Sequence, residues 1–336
     1  MPIVQRESGS CFVDNPITIS VIIVSYNTCD MTRRCLEDLY DKAKGVAMEV
    51  IVVDNGSADG TVTMIEEEFP NVLLLTMDVN LGFSAANNIG FSYAKGRYCV
   101  LLNTDAFFHA GALQRAIQRM DDDHRIALAG GRLVGPDGEW QPSARMFPSL
   151  LNDFLHLSGL AARYPQSRFF GRADRTWASP EDSAEVDWVP GAFSIIRKGA
   201  LEAVGLFDER FFLYYEEVDL CRRMRAAGYG VWYFGDVVVT HIGGVTTKAT
   251  CEDGHYSEVG SQLTLWRMRS ALLYYRKHHG YFGALGAYLL ERLWYRLREW
   301  KNGRDAKGKQ SRKMLALIKC AWQETEGGKV SPPRPW

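Results

Sequence analysis

Over the first 135 residues short apolar runs alternate with segments of helical spacing, and that rhythm belongs to a mostly parallel sheet flanked by helices. Runs at 18–25, 48–54, 71–76, 97–103 and 125–131 read as strands. Segments 31–42, 59–68, 82–94 and 111–120 carry helical spacing, with Asp59 and Ser84 placed as N-terminal caps. A doubly wound α/β half of the nucleotide-binding type follows, in which ligands sit beyond the carboxyl ends of the strands.

Four polar segments occupy that position. The first run ends in Ser25-Tyr26-Asn27, the second in Asp54-Asn55-Gly56-Ser57, and the fourth in Asn103-Thr104-Asp105. The segment Asn80-Leu81-Gly82-Phe83-Ser84-Ala85-Ala86-Asn87-Asn88 opens the third helix. Taken singly, Asp54 and Asn55 make an ordinary Asx turn, and Asp105 is a turn or cap residue. Occurring together at one sheet edge, they suit another task. One carboxylate can accept hydrogen bonds from a base or ribose, and a second can hold a divalent cation against a diphosphate.

The second half is less regular. Residues 140–185 lose periodicity apart from a short helix near 150–160, which suits a mobile loop on the acceptor side. A strand pair at 186–189 and 192–197 follows, then a helix from about 216 and a small second pair of strands at 230–234 and 237–241. Glu216, Glu217 and Asp219 fall in the first turn of that helix, where the helix dipole favours ionised carboxylates. The same acids followed by Arg222, Arg223 and Arg225 also describe an ordinary charged surface helix. Trp188 offers an indole for the face of a sugar ring and is equally suited to a core.

Charge separates a tail from the rest. The chain carries a net charge of −1, yet residues 263–313 hold 13 Lys and Arg against three acids, a local charge of +10 that leaves −11 for the remainder. This helical tail, 257–325, interleaves its basic residues with Trp and Tyr and has three readings: contact with an anionic membrane surface, a homodimerising helix pair, or packing on the catalytic domain with arginines reaching outward. No nucleic-acid-binding motif accompanies the charge. The expected organisation is an N-terminal extension at 1–17, a catalytic domain at 18–256 divided near 135, the tail, and a flexible Pro-rich end at 326–336. The longest apolar stretch, near 281–290, is too short to cross a bilayer, and the N-terminus lacks the pattern of a secretory signal. Seven scattered cysteines with no metal-finger spacing read as reduced thiols, and the chain as cytoplasmic, with room for peripheral attachment at the inner face of the plasma membrane.

The order IIVSYN, VIVVDNGSADGT, NLGFSAANNIGF, LLNTDA, WVPGAF, FDERFFLYYEEVDLCRR and VTHIGG resembles the family 2 glycosyltransferases of GT-A fold. Within that family it looks most like the bacterial rhamnosyltransferases that build cell-surface polysaccharides. The resemblance covers residues 18–247 and implies an inverting, metal-dependent sugar transfer from a nucleotide-diphosphate donor, with dTDP-rhamnose favoured over UDP-hexoses, to a glycan or lipid-linked glycan. A non-catalytic nucleotide- or glycan-binding relative is the other reading.

The resemblance also implies roles. The family's DxD-type metal motif falls on Asn103-Thr104-Asp105, where Asn replaces the first Asp, so the contact to Mn²⁺ or Mg²⁺ rests on Asp105, with His241 as second ligand. Nucleotide and diphosphate fall to Ser25, Asn27, Asp54, Asn55, Asn80, Gly82, Asn87, Asn103 and Thr104. Trp188, Gly191, Ala192 and Glu216 line the sugar and acceptor. The catalytic base falls on Glu217, where the family carries Asp, with Asp219 as the alternative.

Overall fold

A computed structural model describes residues 3–4, 17–243, 262–303 and 305–334. Of the N-terminal extension only Ile3–Val4 and Ile17 are in this set, and Cys11, Cys251 and the start of the tail are outside it; the five described cysteines are free thiols.

The chain runs β1 (Ile3–Val4), β2 (Ile19–Ser25), α1 (Cys29–Lys42), β3 (Met48–Asp54), α2 (Thr61–Glu68), β4 (Leu73–Thr76), α3 (Phe83–Tyr93), β5 (Tyr98–Leu102), β6 (Ala106–Phe108), α4 (Ala112–Asp122), β7 (Ile126–Val134) and β8 (Trp140–Gln141). It continues through α5 (Leu150–Leu157), α6 (Leu160–Arg163), β9 (Ala184–Glu185), β10 (Phe193–Arg197), α7 (Lys198–Val204), α8 (Glu216–Ala226), β11 (Gly230–His241), α9 (Gln262–Asn302) and α10 (Ala306–Glu324).

Strands β4, β3, β2 and β5 lie parallel, as the alternating pattern requires. Their residues divide between two cores by strict alternation. Val21 and Ile23 join Leu36 and Leu39 of α1 and Leu113 of α4 on one face, while Ile22 joins Ala86 and Phe91 of α3 and Leu220 and Met224 of α8 on the other. The strands expected as a small second sheet are hydrogen-bonded into the same 11-stranded sheet, because β10 pairs antiparallel with both β5 and β7.

Local differences from expectation have clear causes. The N-caps of α2 and α3 are Gly60 and Gly82, both at positive φ, and the Ser84 hydroxyl bonds instead to Phe211 O at 2.5 Å. The strands at 230–234 and 237–241 are one, β11, interrupted by a register shift between Phe234 and Val238. No strand forms at 186–189; Trp188 makes only an isolated bridge with Arg145.

The tail packs as a helical unit. Gly280, at φ +70°, interrupts α9 and turns its second arm back on the first, bringing Arg267 within 3.5 Å of Glu291. Tyr274 and Tyr275 of the first arm and Ala284 and Ala287 of the second bury against Phe211 and Val218, which fixes the tail to the N-terminal end of α8. The end expected to be flexible is docked at Arg334, which donates to Leu81 O and Glu209 O.

Candidate active site

The carboxyl ends of the parallel strands form one connected polar edge. At the end of β2, Asn27 adopts φ +50°, its N–H donates to Ser57 Oγ at 2.9 Å, and its Oδ1 accepts from Ala58 N at 2.8 Å. Asp54 closes β3 with Oδ2 accepting from Ser57 N, while its buried Oδ1 has no hydrogen-bond partner. Burial pushes the Asp54 carboxyl above the ordinary carboxylate range. Asn55 reaches across to the next loop, donating to Asn80 Oδ1 and accepting from Leu81 N, both at 2.9 Å.

Gly82 is fixed by a close approach. It sits at φ +87° and ψ 170°, a region reserved for glycine, and a Cβ there would lie 2.6 Å from Phe212 O. Phe83 N donates to that same carbonyl, and Asn88 bonds to Phe207 in both directions, so the start of α3 is tied to segment 207–212. Like Asn27, Asn55 and Asn80, the expected nucleotide contacts Ser25 and Asn87 are engaged within the protein. The Ser25 hydroxyl is fully buried in a cluster with Thr28 and Thr32, and Asn87 Nδ2 donates to Phe83 O.

The short strand β6 completes the edge. It pairs with β11 in a register that sets Ala106 opposite His241, which brings the preceding Asp105 to His241 with Oδ1 3.5 Å from Nε2. Gln141 Oε1 lies 2.9 Å from His241 Nδ1 and Gln141 Nε2 donates to His241 O at 2.9 Å, an arrangement that puts the ring proton on Nδ1 and leaves Nε2 a lone pair toward Asp105. A separation of 3.5 Å is long for a hydrogen bond, yet one small divalent cation can touch both atoms at ~2.1 Å. Among the described residues no group of three or more His, Cys, Asp and Glu side chains comes together, so this pair supplies two ligands at most. Thr104 and Asp105 are buried, and Asn103 N donates to Ala192 O, joining the edge to segment 188–192.

That segment leads to the carboxylates. Gly191 passes the Phe83 ring, and Trp188 hydrogen-bonds Met146 O through Nε1 with the Arg145 guanidinium 5.1 Å from its ring centroid. Tyr214 and Tyr215 both adopt left-handed backbone conformations, φ +70° and +71°, immediately before α8, a strain of ~1–3 kcal/mol each. They deliver Glu216 and Glu217 to the first turn with Oε2 of each buried and without a hydrogen-bond partner. Burial and the neighbouring Glu217 push Glu216 well up. Burial raises Glu217 to about 7, against the opposing influence of the backbone N–H groups of the turn and of Arg145.

Asp219 stands apart from this pair. Its fully buried carboxylate binds Arg223 at 2.9 Å and Lys277 and His278 of α9 at 2.7 Å each. Burial pushes its carboxyl up, and the bonds from His278 and Lys277 with the charge of Arg223 outweigh burial, so Asp219 lies below the ordinary range. Sequence reasoning missed Gln141 and Arg145, and nothing marks either of them in an aperiodic stretch.

Comparison with known proteins gives a consistent result. The family pattern "Glycosyl transferase family 2" matches residues 20–180. The chain is 29% identical over 234 residues to N-acetylglucosaminyl-diphospho-decaprenol L-rhamnosyltransferase of Mycobacterium tuberculosis, covering 66% of this chain and 75% of that protein. Its fold is similar to the mannosyltransferase PcManGT of Pyrobaculum calidifontis, solved with GDP-Man and Mn²⁺, at a TM-score of 0.50 and 17% identity over 93% of this chain and 76% of that one. GalNAc-T7, solved with UDP, GalNAc and Mn²⁺, gives a TM-score of 0.55 at 13% identity, covering 94% of this chain and 57% of that one. The fold is therefore GT-A.

Proposed function

Because the chain belongs to the family 2 glycosyltransferases and resembles their rhamnosyltransferases, we propose that it moves L-rhamnose from dTDP-rhamnose, with inversion, onto a hydroxyl of a lipid-linked glycan in the synthesis of a cell-surface polysaccharide. The observation that carries the reading is the Glu217 carboxyl of a half-buried side chain at the start of α8, raised to about 7 and with its buried Oε2 lacking a partner. A base poised near neutral pH is what alcohol deprotonation requires.

In this reading the Glu217 carboxylate takes the proton of the acceptor hydroxyl as its oxygen bonds to the anomeric carbon. The bond from that carbon to the nucleotide diphosphate breaks on the opposite face, and dTDP leaves with the electron pair. Asp105 and His241 would hold Mn²⁺ or Mg²⁺, which when bound neutralises charge on the leaving diphosphate. Asp54 and Asn55 take the nucleoside, with Asn27 and Ser57 bracing their turn. Trp188 and Gly191 wall the sugar. Asp219, already ion-paired to the tail, positions α8.

The decisive experiment incubates the purified protein with dTDP-rhamnose, Mn²⁺ and a synthetic N-acetylglucosaminyl-diphospho-lipid, with UDP-hexoses as competing donors. A rhamnosylated product detected by mass spectrometry is expected. Transfer from a UDP-hexose alone would replace the donor assignment, and nucleotide-sugar binding with neither transfer nor donor hydrolysis would leave a non-catalytic binder.

A further inference from the structure

The second arm of α9 presents large apolar side chains to solvent. Phe282 is 82% exposed, Leu289 51%, Leu293 59%, Leu297 52% and Trp300 85%. Their spacings of seven, four, four and three residues, at 100° per residue, confine them to a sector about 80° wide. Gly286 falls in the same sector, and its missing side chain lets Leu150 of α5 lie against the helix. Leu150, Leu151 and Phe154, each about two-fifths exposed, thereby extend the stripe into a face built from two helices.

Charge decides what covers it. Arg292 and Arg296 flank the stripe on one side and Lys301 on the other, all in the segment whose local charge is +10. The acids of the same arm are turned elsewhere: Glu291 pairs with Arg267 across the hairpin, and Glu299 with Arg312 of α10. A second copy of this face would set these arginines against their own kind, whereas an anionic surface would pair with them. No described helix is long and apolar enough to cross a membrane, so contact through this face is lateral.

We propose that the Phe282–Trp300 face of α9, with the exposed leucines and Phe154 of α5, is the surface on which the enzyme rests on an anionic phospholipid bilayer. The inference rests on the reading that the acceptor is lipid-linked. The placement serves that reaction, because both helices also wall a cavity of about 350 Å³ that reaches Tyr215, the residue before Glu216. The same arm buries Ala284 and Ala287 against the tail core that holds Val218 of α8. A bilayer under the stripe is thus held at a fixed offset from the acceptor side of the cleft.

Flotation of the full chain with phosphatidylglycerol-containing vesicles, and with pure phosphatidylcholine vesicles, tests the proposal. The wild-type chain is expected to float with the anionic vesicles only. Phe282→Ser with Trp300→Ser should weaken binding at least tenfold, and Arg292→Gln with Arg296→Gln by about fivefold per charge. Both double variants should keep wild-type transfer to a water-soluble acceptor, and the serine pair should keep the wild-type melting temperature, which the arginine pair can lower slightly because Arg292 also holds the Tyr288 hydroxyl. Unchanged vesicle binding by the double serine variant overturns the proposal, as does sedimentation showing a dimer that this variant dissociates. Loss of transfer to the soluble acceptor by the wild-type chain would instead strike the proposed function and leave the vesicle result standing.

Discussion

Gln141 and His241 exchange two hydrogen bonds, ring nitrogen to amide oxygen and amide nitrogen to main-chain carbonyl, both at 2.9 Å. Removing the amide frees the imidazole to rotate and to change tautomer. Gln141→Leu should therefore weaken Mn²⁺ binding, measured by titration in the presence of a nucleoside diphosphate, by ~10–100-fold while the melting temperature of the metal-free protein moves little. Gln141→Glu should recover only part of the affinity, because a carboxylate can accept the same Nδ1–H but cannot donate to the His241 carbonyl.

Glu217 makes a prediction in pH. In the proposed role of base it must be ionised, so kcat/KM should rise tenfold per pH unit below about 7 and level off above it. Glu217→Gln should lower turnover by ~10²–10⁴-fold with donor affinity intact. The sign for stability runs the other way. A carboxyl raised on folding costs stability as pH climbs from its ordinary value of 4.5 to about 7, so Glu217→Gln should unfold at an equal or higher temperature than wild type at pH 8, checked by calorimetry.

The parallel strands were legible because their alternation is local: Val21 and Ile23 face one core and Ile22 the other, whatever the rest of the chain does. The caps were less so. Asp59 and Ser84 have the right chemistry, yet positive-φ glycines take the cap positions and the Ser84 hydroxyl goes to Phe211 O. Strand β6 has three residues and no period to read, and it alone brings Asp105 to His241, so their proximity could be expected only from family resemblance. Gln141 left no trace in the sequence, since its role depends on a register set by strands far from it in the chain.

Gly82 ties a backbone constraint to the loop that carries the Asn55–Asn80 bond. Alanine at this position meets both the glycine-only conformation and the Phe212 carbonyl, which is also the acceptor for Phe83 N. Gly82→Ala should cost at least about 2 kcal/mol, read as a lowered melting temperature, and should raise the donor KM more than it lowers kcat, because the displaced loop carries the Asn55–Asn80 bond.

The proposed roles make Asp219 a structural carboxylate beside a catalytic Glu217. Its oxygens are held by Arg223, Lys277 and His278, and removing the charge leaves these groups facing a buried amide. Asp219→Asn should lose ~3–5 kcal/mol of stability, the cost of breaking a buried ion pair from one side. Because its carboxyl is lowered on folding, the stability it contributes is complete above the ordinary value of 3.8 and is lost as pH falls through the folded value. Denaturation midpoints of wild type and Asp219→Asn should accordingly converge in strong acid and stand apart from pH 5 upward. The variant that remains folded should keep the wild-type pH profile of kcat/KM; a profile that loses its rise toward neutral pH would make Asp219, and not Glu217, the base.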